Sequence, residues 1–170
     1  MQLFTLHGDS DKYYYAKILN SSAPYYLEFL DISTTRTRPL KIGDYAYLLH
    51  SSNLEKEHKE FSSSIAGSTP TFSQKAFECL KELILPQAEQ VIELHFEDRL
   101  FYVVVPNILP FSDDLDWACI YRELPKGIHF FREDPGVYRA AVTNTFRELC
   151  LKNKLKGMDF VLKYDSEAQA

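Results

Sequence analysis

The sequence predicts a single α+β domain, in which a mostly antiparallel sheet is packed by two or three helices. Three observations carry this expectation. A chain of 170 residues has the size of one domain, and 45% hydrophobic with 14% aromatic residues supplies the material of a core. Its first part is a series of short apolar runs separated by turn residues, the pattern of strands. Its second part contains, twice, a stretch of helical periodicity followed by a stretch that alternates with period two. Two such units are too few for a solenoid, so an α+β assembly is the economical one. The whole of 1–170 reads as one domain, made of a strand-rich N-terminal part at 1–69, a more regularly patterned part at 70–164 and a tail at 165–170.

Taken in order, "QLFTL", "KYYYAKIL", "YYLEFLDI" and "YAYLLH" are the strand candidates of the first part, punctuated by Gly8, Asn20 to Pro24, Pro39 and Gly43. "GDSDK" at 8–12 has the composition of a hairpin turn. "NLEKEHKEF" suits a solvated helical turn, and "SSSIAGSTP" a loop within the domain. Residues 74–84 are a predicted helix: Ser73 can cap it, Phe77, Leu80 and Ile84 recur at helical spacing with Ala76 and Leu83 alongside, and Pro86 ends it. "QVIELHF" alternates Ile92, Leu94 and Phe96 against Glu93 and His95, and "RLFYVVV" is a second strand after the acidic turn at Glu97 and Asp98. "VYRAAV" reads as a strand, Thr145 with Glu148 as a capping box, and Phe146, Leu149 and Cys150 as the buried face of a helix. Gly157 releases that helix. "MDFVLKY" closes the chain, with Met158, Phe160 and Leu162 alternating against Asp159 and Lys163.

Charge and composition narrow the function. A net charge of −5 and a pI near 5.5 lack the broad basic footprint that nucleic acid or an anionic membrane requires, and suit a partner with a basic surface. The start "MQLFTLHGDSDKYYY" has no charged segment followed by an apolar one, and no run approaches the roughly 18 apolar residues of a membrane span, so a cytoplasmic location is expected. Cys79, Cys119 and Cys150 are odd in number and far apart, which fits small core residues better than a disulfide framework or a zinc site. His7, His50, His58, His95 and His129 show no metal-ligand spacing, and no Walker-type loop or dinucleotide fingerprint occurs. No metal and no cofactor are expected.

One stretch invites an enzymatic reading. "HGDS" at 7–10 follows an apolar strand as the nucleophile block of GDS-type esterases does, with Ser10 as nucleophile. That chemistry needs a histidine base near the serine and an acid to orient it. None of the five histidines follows an aspartate by three positions, and the turn reading is preferred.

A second stretch, "NILPFSDDLDWACIYRE" at 107–123, sets Asp113, Asp114 and Asp116 beside Trp117, the chain's one tryptophan. Paired carboxylates would suit Mg²⁺ or general acid chemistry. Ser112 followed by Asp113 and Asp114 also resembles a helix start, where negative charge complements the helix dipole. Among functional readings, partner binding is preferred: grouped carboxylates suit a basic surface, and Trp117 is an anchor if exposed, a core residue if not.

The order "PTFSQKAFECLKELI", "FYVVVPNILPFSDDLDW", "GIHFFRE", "YRAAVTNTFRELCLKNKLKGMDFVLKY" resembles a bacterial immunity-protein family of the type found beside polymorphic toxins, close to immunity families eleven and forty-three. The positions that carry the resemblance are Ser73, Asn107, Leu115 with Asp116, Phe131 with Arg132, Thr143 with Phe146, and Leu155, Gly157 and Phe160, spanning about residues 70 to 164. Members vary greatly over the part corresponding to 1–69. The resemblance implies a non-enzymatic antidote that binds and neutralises a cognate toxin, with Phe77, Phe146 and Phe160 in the core, Gly157 as a left-handed helix cap, and specificity on variable loops and edges.

Overall fold

A computed structural model describes residues 1–8, 15–19, 46–50, 70–96, 99–109, 116–133 and 139–168. The elements are β1 (Gln2–Gly8), β2 (Tyr15–Leu19), β3 (Ala46–His50), β4 (Thr71–Ser73), α1 (Gln74–Ile84), β5 (Ala88–Phe96), β6 (Arg99–Pro106), α2 (Trp117–Glu123), β7 (Phe130–Phe131), β8 (Ala141–Thr143), α3 (Asn144–Lys152) and β9 (Met158–Asp165). The architecture is α+β. Among the described residues all strand pairs are antiparallel, in a four-stranded sheet ordered β7-β8-β1-β9, a three-stranded sheet ordered β4-β6-β5 and the pair β2-β3. "YYLEFLDI", "NLEKEHKEF" and 62–69 lie outside the described residues.

Helix α1 occupies the predicted 74–84. Ser73 Oγ accepts a hydrogen bond from the Ala76 N–H at 3.3 Å, and Pro86 follows the helix in a single 3₁₀ turn, Leu85–Gln87. Its apolar stripe of Ala76, Phe77, Leu80 and Ile84 is buried, with Leu83 half-buried beside it. Along with α3, this helix covers one face of both larger sheets. Phe4 and Leu6 of β1, Val142 of β8, Phe130 of β7, Phe72 of β4, and Tyr102 and Val104 of β6 complete the core. Aromatic rings knit the layers. Phe130 lies between Phe72 at 6.2 Å and Phe146 at 5.7 Å, and Phe77 stacks on Tyr102 at 4.0 Å.

A short parallel bridge joins the two larger sheets. The Arg132 N–H donates to the Asn107 carbonyl at 2.9 Å, the Leu109 N–H donates to the Arg132 carbonyl at 3.1 Å, and the Asn107 N–H donates to Gln87 at 2.7 Å. Arg132 is the largest fully buried side chain described. Its guanidinium lies 3.4 Å from the Glu89 carboxylate on β5.

Five expectations are corrected. Strands β1 and β2 do not form a hairpin, because β8 and β9 take both sides of β1 while β2 pairs with β3, and residues 9–12 of "GDSDK" lie outside the described residues. Arg139 and Ala140 of "VYRAAV" are not strand, which runs over Ala141–Thr143, and Val137 and Tyr138 lie outside the described residues. Thr145 is not the cap of α3: the capping position is Thr143, held extended by its pairing with Leu3, and the Asn144 side chain takes Glu148 as its partner at 2.7 Å. Gly157 has a left-handed φ of +83°, but the residue that ends α3 is Lys154, at φ +53°. The Leu155 N–H reaches Cys150 O and the Lys154 N–H reaches Leu151 O, each at 3.0 Å, which is a Schellman motif with lysine where glycine is usual. Finally, Leu162 is half exposed and Phe160 only half-buried, because among the described residues β9 is the last strand of its sheet and its register shifts at Leu3 and Phe4. Of the cysteines, Cys150 is buried, its thiol pushed up to about 12 by burial, whereas Cys79 and Cys119 are half-buried; all three are free.

Two measurements check this account. Phe146→Ala should lower the unfolding free energy by about 3–5 kcal/mol, since it deletes a ring from a closed stack. An unchanged denaturation midpoint would place α3 the wrong way round. Lys154→Gly should raise stability by roughly 0.5–1 kcal/mol by relieving the Cβ crowding of the left-handed region. Loss of stability on that change would contradict the cap geometry.

Candidate functional site

The residues of "NILPFSDDLDWACIYRE" converge on α2, which lies on the face of the four-stranded sheet opposite α1 and α3. The helix forms locally. Asp116, extended at φ −87° and ψ 153°, is its cap, and Oδ1 accepts the Cys119 N–H at 2.6 Å. That bond holds the exposed Asp116 carboxyl below its usual range. In the last turn, Arg122 folds back on the Ala118 carbonyl at 3.3 Å and the Cys119 sulfur at 2.9 Å. Beyond Leu124, the Ile128 N–H donates to Pro125 O at 3.2 Å across a turn whose third residue, Gly127, has φ +87°. This is the type II geometry that needs glycine at that place, and it delivers the chain into β7.

Ile120 is the buried anchor of α2, packed with Leu3, Phe131 and Ala141. Trp117, Tyr121 and Leu124 share its helical face and are half-buried around that cluster, as is Tyr164 of β9, whose ring centroid is 4.9 Å from that of Tyr121. Trp117 is therefore both packing residue and partly accessible aromatic. Asp116 stands exposed next to it. Ser112, Asp113 and Asp114 lie outside the described residues, and the helix starts later than the Ser112 reading implied, at Trp117.

The same sheet face carries two histidine–threonine pairs. His129 Nδ1 shares a hydrogen bond with Thr143 Oγ1 at 2.8 Å, and His7 Nε2 one with Thr5 Oγ1 at 3.0 Å. Both threonines are buried. Burial lowers the pKa of both rings, and nearby Arg139 lowers that of His7 further. His7 is thus engaged within its own strand, while Ser10 lies outside the described residues. No group of three or more His, Cys, Asp or Glu able to hold a metal occurs among the described residues, and no described helix is long and apolar enough to cross a membrane.

The sequence singled out Asp116 and Trp117, and the structure sets beside them Tyr121, Tyr164 and both histidine–threonine pairs, which the sequence did not single out. Tyr121 was within reach of helical periodicity, four residues beyond Trp117. Tyr164 had no local signal, because the strand irregularity at Leu3 and Phe4 turns it toward α2. Comparison with known protein families, curated proteins and solved structures finds no match to this chain.

The cap makes a pH prediction whose sign follows from the depressed Asp116 pKa. Its stabilising contribution is complete above the usual carboxyl value of 3.8 and is lost as pH falls through the lower folded-state value. Asp116→Ala should therefore lower the thermal midpoint at about pH 7, and the gap to wild type should close at about pH 2. An equal gap at both would mean that the carboxylate charge plays no part in the cap.

Proposed function

We propose that this chain is an immunity protein, a non-enzymatic antidote that binds a basic surface of a cognate bacterial toxin in the cytoplasm and blocks it. The observation that carries the reading is the juxtaposition at α2 of an exposed carboxylate, Asp116, with the half-exposed aromatics Trp117, Tyr121 and Tyr164. Aromatic side chains held on a packed base are suited to anchoring an interface, since little freedom is lost when they are covered. Carboxylates beside them select and steer a basic partner. Asp113 and Asp114, close before Asp116 in sequence, and the net charge of −5 add to the same field. The resemblance of residues 70–164 to toxin-associated immunity proteins supports the same class of partner. This reading assigns no role to nucleic acid, membrane, metal or cofactor.

The test is co-expression with the product of the gene immediately upstream, expected to end in a toxin-like domain, combined with stopped-flow binding. Wild type should protect cells. Asp113→Lys with Asp114→Lys should slow association about tenfold at low salt and less at high salt, with the circular dichroism spectrum unchanged. Trp117→Ala should speed dissociation about tenfold or more. Ser10→Ala should leave protection intact, and its loss through this change alone would favour the esterase reading. Failure of the wild-type chain to bind or protect would sink the proposal.

A further inference from the structure

The edge of the four-stranded sheet carries a self-complementary pattern. Strand β9 is eight residues long and, among the described residues, pairs only with β1. The opposite end of the sheet, at β7, is continued by the bridge to residues 107–109. Along β9, Asp159, Val161, Leu162 and Lys163 are exposed, Val161 at 38% and Leu162 at 50%. A long edge with exposed apolar side chains is a template for another strand.

The hydrogen bonding indicates which groups face outward. The Leu6 N–H donates to Ala140 on the β8 side, so by antiparallel alternation Thr5 and His7 direct their peptide groups to β9, where they stand opposite Val161 and Asp159. The peptide groups of Phe160 and Leu162 therefore point away from the sheet, toward a further strand. A second copy of β9 running antiparallel pairs these groups in only a few registers, two residues apart. With Val161 opposite Val161, Phe160 faces Leu162 and Asp159 faces Lys163, each contact occurring twice about the two-fold axis. The Val161 position is then a non-hydrogen-bonded pair, in which side chains approach most closely, and Asp159 stands across from Lys163, the residue left without a β1 partner where the register shifts between Leu3 and Phe4. A slide of two residues one way sets Val161 against Asp159. The other way sets Val161 against Lys163 and Asp159 against Asp165.

We propose that β9 is a homodimerisation edge, which pairs antiparallel with β9 of a second copy through Val161 and two Asp159–Lys163 ion pairs. The four-stranded sheet then runs continuously through both copies, and the interface is isologous, as two-fold symmetry requires. This inference is independent of the toxin-binding reading, and its test needs no toxin.

Sedimentation velocity on the purified full chain across a concentration series, with circular dichroism as fold control, decides it. Wild type should dimerise. Leu162→Pro removes an outward N–H that the β1 pairing does not use and should yield monomer. Lys163→Glu, which keeps that backbone, should weaken dimerisation about tenfold, and Asp159→Lys should do the same. Asp159→Lys with Lys163→Glu in one chain should recover dimerisation, and a mixture of the two single variants should form heterodimer. A wild type still monomeric at about 0.5 mM would overturn the proposal. So would a dimer indifferent to both Leu162→Pro and Lys163→Glu, or charge-reversed variants that fail to recover on recombination. Loss of another protein's binding on Leu162→Pro, with wild type monomeric, would give the edge to that protein instead.

Discussion

A guanidinium sealed from solvent where two sheets meet is the constraint on which the rest of the structure depends. Taking a charge out of water costs several kcal/mol unless the surroundings compensate. Arg132 meets that cost at a fixed point, with Glu89 of β5 within 3.4 Å of its side chain and Asn107 and Leu109 bonded to its backbone. The side chain thus reaches the three-stranded sheet while the main chain extends β7 of the four-stranded one. Because strand side chains alternate, this attachment also determines what its neighbours do. Phe130 points into the core beneath α1 and α3, and Phe131 into the cluster beneath α2. A slip of one residue would exchange them and bring the charge into an apolar layer.

With that register set, the central position of β1 accounts for the two-sided character of the domain. Phe4 and Leu6 serve the larger core, and Leu3 serves the cluster under α2. Helix α2 has only seven residues, too few to be stable alone, and it persists because Ile120 is buried and Asp116 closes its first turn. The candidate binding surface is therefore a local capping motif set on a sheet face built from distant parts of the chain. Residues that anchor the helix also shape what it presents: Trp117 and Tyr121 hold α2 in place with part of their rings and leave the remainder accessible.

What the sequence determined by itself was the set of features governed by contacts a few residues apart. Ser73, the apolar stripe of α1 and Pro86 lie within about four turns of chain, and that helix has the predicted ends. The buried face of α3 was legible for the same reason, as was the identity of Asp116 and Trp117 as notable neighbours. The tertiary structure decided between local options of similar merit. Thr143 and Thr145 can each precede a helix, and pairing of Thr143 with Leu3, some 140 residues away in sequence, settled which one does. Leu162 alternates like a core residue, yet no strand covers it among the described residues, because β9 ends its sheet. Asp116 read as one of three grouped aspartates suited to a partner's basic surface, and only the Cys119 N–H pointing at it makes it the helix cap, while Tyr164 lies beside α2 only through a register shift in β9. Periodicity in a sequence reports which side chains share a face, whereas the partner of that face is set by hydrogen bonds between strands far apart in the chain.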